Sequence, residues 1–468
     1  MSSLAAASTQ APVSLRAGRL EVTHRPRFAR ALSAAALGAA LLCSSSSRAD
    51  DAVPASAAES DRLAQLEREV QELKTSASRP RFPVRFGAFL HADWVIHRES
   101  SQDEINASTK EPLNEDRFVL RRARPQVSVD TRHIESTVML DVNTVRGPTV
   151  RPALAEVTAK LPSTEPHAPP LLAASMGMIR SPFGFEPQQA ARDRLFLERS
   201  NVSRGLFSAS FDLGLRFAGA FRFLRYSTAI MNGEPLGTTG FPTRDPNKNK
   251  DLVSRVGVDT EIAHGVQLQA GASLLTGRGF HAGTPATKDS LVWRDENENG
   301  LVELTELQAV PGKARTPSEG FRRFGLGADA RITARIPGVG PLRAAFEIMK
   351  AQNLDRGLLV SDPVAMGRDL RQLGYYVQVS QDVGRYFAAG VRYDTYNADS
   401  DAQEQSVSNL VSVDRSFSTW SFTVAAMYAP GRLVLQYDRN RNPFGRTLSG
   451  APTSLADDAL TLRAEAAF

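Results

Sequence analysis

From Arg81 to the C-terminus, polar and apolar residues alternate with a period of two. The run Arg323–Ile336 shows this best: Phe324, Leu326, Ala328, Ala330, Ile332, Ala334 and Ile336 are apolar, and the odd positions are charged, polar or Gly. In an extended chain the two sets point to opposite faces. Gln267, Gln269, Gly271 and Ser273 likewise face away from Val266, Leu268, Ala270, Ala272 and Leu274. Such segments recur near 84–97, 116–130, 132–143, 150–160, 170–180, 211–218, 220–231, 251–262, 265–276, 321–336, 341–351, 372–382, 386–397, 415–429, 431–440 and 459–468. Their connections alternate between short turns, such as 263–265 and 383–385, and long loops, such as 181–210 and 277–320. No run approaches the ~18 to 20 apolar residues of a membrane-spanning helix. The pattern predicts an all-β fold: a transmembrane antiparallel β-barrel of about sixteen strands, with turns at one end and long loops at the other.

The first eighty residues follow other rules. Residues 1–49 read as an export signal with an N-terminal extension: Arg25, Arg27 and Arg30 precede the apolar stretch Ala31–Leu42, and Ser47-Arg48-Ala49 offers a cleavage site. Cleavage near Ala49 would send the chain to the outer membrane of a Gram-negative cell. Cys43 is the sole cysteine, and Leu42 before it is bulky where a lipidation site favours a small residue. Residues 50–80 form a second segment, in which Leu63, Leu66, Val70 and Leu73 repeat at the a/d spacing of a short coiled coil. The barrel is expected over 81–468.

Composition changes one inference. The isoelectric point near 9.4 would suit a nucleic-acid partner. The leader, however, holds six of the 56 basic residues and one of the 51 acids, so its removal leaves fifty of each. A nucleic-acid partner is not expected.

Arg117-Phe118-Val119-Leu120-Arg121-Arg122-Ala123-Arg124, then Met178–Glu186 with Phe196-Leu197-Glu198-Arg199-Ser200, and then Asp212–Arg216 and Ala229–Gly233 resemble the phosphate-selective porin O and P family. That resemblance implies a homotrimer of sixteen-stranded barrels in outer-membrane lipid. It also implies a third loop folded inward to narrow the pore, and small anions such as phosphate as passengers. The alternative is a receptor or adhesion barrel that would use the same long loops to bind ligands outside the cell.

Two groups of residues could carry chemistry. Arg122, Arg124, Arg216 and Arg331 lie in the polar set expected to face the lumen, and Arg180, Arg192, Arg194, Arg199 and Arg204 lie in or beside the loop 181–210. Guanidinium groups bind phosphate as a fork, and rings of Arg favour anion passage. Arg–acid pairs that stiffen the wall are the competing reading. The second group, Asp295-Glu296-Asn297-Glu298-Asn299-Gly300-Leu301-Val302-Glu303-Leu304-Thr305-Glu306, fits the calcium loop D-x-[DN]-x-[DN]-G-x5-E. There Asp295, Asn297, Asn299, Leu301, Glu303 and Glu306 would be the ligands of a Ca2+ ion. No cofactor is otherwise required. Catalysis is not expected, because the six histidines after the leader are scattered without a Ser or acid at triad-like spacing.

Overall fold

The structure is a computed structural model. It describes residues 83–98, 116–145, 147–162, 168–208, 211–233, 245–405, 410–412, 414–442, 445–446, 452–454 and 457–468. The export signal and the a/d seam of 63–73 lie outside the described residues.

Sixteen strands close into one antiparallel barrel. In chain order they are β1 Val84–His97, β2 Arg117–Asp130, β3 Ile134–Asn143, β4 Thr149–Leu161, β5 Leu172–Arg180, β6 Phe211–Phe221, β7 Leu224–Met231, β8 Asp251–Ala263 and β9 Val266–His281. After a loop hairpin (β10 Ser290–Trp293 and β11 Leu307–Val310) come β12 Glu319–Ile336, β13 Gly340–Gln352, β14 Arg371–Val383 and β15 Phe387–Asn397. A second loop hairpin (β16 Gln403–Gln405, β17 Leu410–Ser412) precedes β18 Ser416–Tyr428 and β19 Gly431–Arg441. The pair β20 Gly445–Arg446 and β21 Pro452–Thr453 precedes the last wall strand, β22 Ala459–Ala467. Each wall strand pairs with the next, and β1 closes the ring on β22, from Phe89 opposite Ala467 to His97 opposite Ala459.

Alternation explains why these residues make strands. Phe324, Leu326, Phe346, Val377, Val391 and Phe422 are exposed on the outside, whereas Arg323, Glu347, Tyr376, Arg392 and Ser421 are buried within. This inversion of the usual burial suits a wall whose outer solvent is hydrocarbon. Aromatic residues mark both rims. Tyr375, Tyr393 and Trp420 form a row near the long-loop end, with ring centroids 6.2 and 4.9 Å apart. Phe86, Phe221, Phe387 and Tyr428 are exposed towards the turns. Such girdles sit at membrane–water interfaces.

Two connections break the length alternation. The β3–β4 connection at the long-loop end spans only 144–148, and β4–β5 at the turn end spans 162–171. Register shifts at His91/Ala92 and Met139/Leu140 put bulges in the same sector, and bulges bend and twist the strand that carries them.

Phe346 lies mid-strand on the outer face and is 40% exposed. Replacing it with Arg should cost about 2–4 kcal/mol, as for cations placed at the bilayer midplane. Urea unfolding in liposomes measures this, and Ser380→Ala on the lumen face of β14 should change stability far less.

Candidate functional site

The connection between β5 and β6 is the key element, because it runs through the lumen. It contains two 3-10 turns, Glu186–Gln188 and Ala191–Asp193, and a short helix α1 Asn201–Leu206. Its course is set by contacts with the far wall. Phe183 is fully buried against β12, where Gly325 and Gly327 leave room; a Cβ at Gly327 would meet its ring at 2.7 Å. Gly184 takes a left-handed φ of +61°, and a Cβ there would overlap the Glu347 carboxylate. Glu347 of β13, wholly buried, accepts from the Phe185 and Glu186 N–H groups at 2.9 and 3.0 Å and from the Tyr376 hydroxyl at 3.0 Å. Further along, Asp394 of β15 accepts from the Asn201 N–H at 3.0 Å, and Gln436 of β19 accepts from the Leu197 N–H at 3.0 Å.

Charge fixes the rest of the loop. The Glu198 carboxylate accepts from Arg122 at 2.9 and 2.7 Å, from Arg121 at 2.9 Å and from Arg463 of β22 at 3.2 Å. Arg463 is itself buried, bonded to Asp93 of β1 at 2.6 and 2.7 Å and to the Leu197 carbonyl at 2.8 Å. Burial alone would raise the Glu198 carboxyl. The charges of Arg122, Arg121 and Arg463, with the hydrogen bond from Arg122, outweigh it and hold the group well below the ordinary carboxylate range. Glu186 closes the inner side of the loop by accepting from the Ser200 N–H and hydroxyl at 3.0 and 2.5 Å.

This path leaves two spaces. One, of about 550 Å³, lies between the loop and β2–β5 towards the long-loop end. Eight arginines line it: Arg121, Arg122, Arg124, Arg151, Arg180, Arg194, Arg199 and Arg204. Only two carboxylates, Asp141 and Glu198, share that lining. The other space, of about 580 Å³, lies towards the turn end and sets Arg194, Arg255, Arg331, Arg343 and Arg432 against Glu186, Asp193 and Asp382.

Of the residues singled out by sequence, Arg122, Arg124, Arg180, Arg194, Arg199 and Arg204 come together in the first space. Arg331 lies in the second, its guanidinium 5.2 Å from the centre of the Phe185 ring. Arg216 sits in the wall, bonded to Glu156 at 3.3 Å and to Ser175 at 3.2 Å. Arg192 is exposed, 3.7 Å from its neighbour Asp193, and lines neither space. Most other wall arginines pair with acids: Arg255 with Asp329, Arg323 with Asp251, Arg343 with Asp382 and Arg432 with Glu465. For these the wall-stiffening reading describes the geometry. Sequence reasoning missed Arg121 and Arg151. The first sits beside the bulge, where the period slips, while Arg151 could have been found from its alternation with Val150 and Pro152.

The candidate calcium segment lies in the loop between β9 and β12. Gly300 has φ +71°, the Asn299 and Gly300 N–H groups donate to the Asp295 carboxylate at 3.1 and 2.7 Å, and Asn299 Nδ2 donates to Glu303 at 2.9 Å. Asn297 Oδ1 accepts from the Asn299 N–H, Leu301 donates its N–H to Asn299 Oδ1, and Glu306 accepts from the Trp293 indole at 3.1 Å. Among the described residues, no three acidic, His or Cys side chains converge as a metal site would require.

No family model matches this chain, and no curated protein matches it in sequence. Among solved structures it is similar to the outer membrane channel DcaP of Acinetobacter baumannii, at 11% identity over 82% of this chain and 97% of that one, TM-score 0.49. It is also similar to the trimer form of the outer membrane protein OmpT of Vibrio cholerae, at 8% identity over 82% and 99%, TM-score 0.46. An anion-selective porin from Comamonas acidovorans matches at 9% identity over 82% and 99%, TM-score 0.46. At these values the likeness carries no argument of its own, and the barrel stands on its own strand register.

Glu198→Gln should loosen the loop by removing the charge that three arginines share, at a cost on the order of 2 kcal/mol. Single-channel recordings should show larger current fluctuations than the parent. Because the folded pKa of Glu198 is depressed, its contribution is complete above the unfolded value near pH 4.5. It is lost only as pH falls through the lower folded value, so the parent current should stay quiet from pH 7 to 5.

Proposed function

We propose that the protein is an outer-membrane porin: a passive diffusion channel for small hydrophilic solutes with a modest preference for anions, phosphate among them. The observation that carries this reading is Arg194. It is 7% exposed, its Nε and Nη1 have no hydrogen-bond partner among the described residues, and it borders both spaces of the lumen. A buried guanidinium short of hydrogen-bond partners keeps its charge unneutralised beside both spaces, where it attracts anions. Around it, seven further arginines face two carboxylates in a narrow passage with low-dielectric walls, and such walls concentrate the field of fixed charge. The wall pairs contribute little to that field because each is neutralised locally. We also propose assembly as a homotrimer, supported by the a/d seam and the family resemblance. The alternative, a receptor or adhesion barrel, would use the long loops and leave the arginine passage unexplained.

Reversal potentials across a KCl gradient test this. Chloride should permeate in preference to potassium. The pair Arg151→Gln and Arg204→Gln, both exposed to the passage, should lower that ratio about twofold, since fixed charges at the constriction set the local field. Arg192→Gln should leave it unchanged. A cation-selective parent would overturn the proposal.

Calcium binding by 295–306 is a second proposal, supported by the turn at Gly300 and by Glu306, which is folded back to accept from the Glu296 N–H at 3.2 Å and is buried. Two Asn ligands reduce the carboxylate count, so the affinity should be on the order of 0.1 to 1 mM. Calcium should raise the protease resistance of loop 277–320, and Glu306→Gln should abolish that effect. No calcium effect on the parent would remove the site.

A further inference from the structure

The outer face of the barrel has a polarity along its axis. Its outward positions carry Arg278, Arg322, Lys350, Arg371, Arg439 and Arg441, all within three residues of the long-loop end of their strands. No outward strand position near the turn end is charged, and none on the wall strands is Asp or Glu. Three of the six cations crowd one sector. Register sets Arg322 of β12 directly opposite Arg278 of β9, and Lys350 of β13 opposite Leu326 on the same outward row. Like charges directly opposed across a strand pair, with Cβ atoms ~5 Å apart, destabilise the sheet.

Nothing described in the protein relieves that repulsion. Arg278, Arg322 and Lys350 are exposed, and among the described residues none has a side-chain ion pair or hydrogen bond. Arg278 and Arg322 border a recess of about 990 Å³ whose wall also includes Leu252 and Phe324 from the outer apolar band. The one carboxylate in its lining, Asp369, is already engaged by the Asn353 amide at 2.8 Å. Lys250, at the same rim, is held by Asp245 at 2.7 Å.

We propose that this recess binds the phosphorylated headgroup of a membrane lipid in the leaflet at the long-loop end. Arg278 and Arg322, neighbours on one outward row, hold the phosphate together, Lys350 adds charge from a lower row of the same sector outside the recess lining, and Leu252 and Phe324 lie against the acyl chains. Paired guanidinium forks suit a phosphate, and the apolar floor suits a molecule that is lipid below its headgroup. A second copy of this chain fits less well, because its outward strand faces offer no carboxylate to these cations. The proposal rests on reading the barrel as embedded in a membrane.

Native mass spectrometry of the full chain in non-ionic detergent tests it, with phosphatidic acid, phosphatidylcholine or inorganic phosphate added. The parent should retain phosphatidic acid in preference to phosphatidylcholine, and equimolar inorganic phosphate should not displace it. The triple variant Arg278→Gln, Arg322→Gln, Lys350→Gln should bind phosphatidic acid more weakly by on the order of 100-fold, each cation near an anionic surface contributing about fivefold. If that variant does not fold, Arg322→Gln alone should lose about fivefold. Equal retention of the two lipids, displacement by free phosphate, or unchanged binding by the variant would overturn the proposal. So would variant chains that lose the parent's assembly on unheated gels, which would assign the face to another copy. Conductance of the same samples reads the pore independently: a working channel without lipid selectivity defeats this inference and leaves the porin reading intact.

Discussion

A strand in hydrocarbon has no water to take its backbone N–H and C=O groups, so each must be paired with another strand. Here that demand is met by closing β22 onto β1, residue against residue from Phe89 and Ala467 to His97 and Ala459. Once the ring is closed, the two-residue period divides every strand between lipid and lumen. Apolar side chains predominate on the outside, and charge appears there only near the long-loop ends of the strands. Charged side chains go in and must find one another or water, and this produces the cross-strand series Arg124–Asp141, Arg216–Glu156, Arg255–Asp329 and Arg343–Asp382.

The inward loop works against that neutral background. Its backbone donors at Phe185 and Glu186 are met by Glu347 of β13, that at Leu197 by Gln436 of β19 and that at Asn201 by Asp394 of β15, and its Glu198 draws together arginines from β2 and β22. The acids of the region are thus consumed in holding the loop, while several of its arginines are left facing the passage. The same contacts that fix the path of the loop therefore set the sign of the field beside it.

Most of the fold was legible because a two-residue period over a dozen residues is a strong pattern, and all sixteen wall strands lie where alternation put them to within a few residues. The expected inward course of the loop 181–210 matches its position, although this came from resemblance rather than from the residues. What alternation could not show is which inward arginines are spent. Arg216 and Arg194 look alike in sequence, yet one bonds to Glu156 across the neighbouring strands, while the Nε and Nη1 of the other are buried with no hydrogen-bond partner among the described residues. Partners like these come from chain segments tens to hundreds of residues away, and a local pattern carries no record of them. The loop hairpins β10–β11 and β16–β17 were missed for a different reason. Their strands are only three or four residues long, too short for a period to register.

The inward loop also has a mechanical consequence. It leaves the wall at β5, is tied to β13, β15, β19 and β22, and returns at β6, so it spans the ring as a chord. A thin cylinder deforms most easily by flattening into an oval, and a chord opposes that deformation along its own direction. The bore beside it is therefore braced, and a large change in its width would require several buried polar contacts to part together.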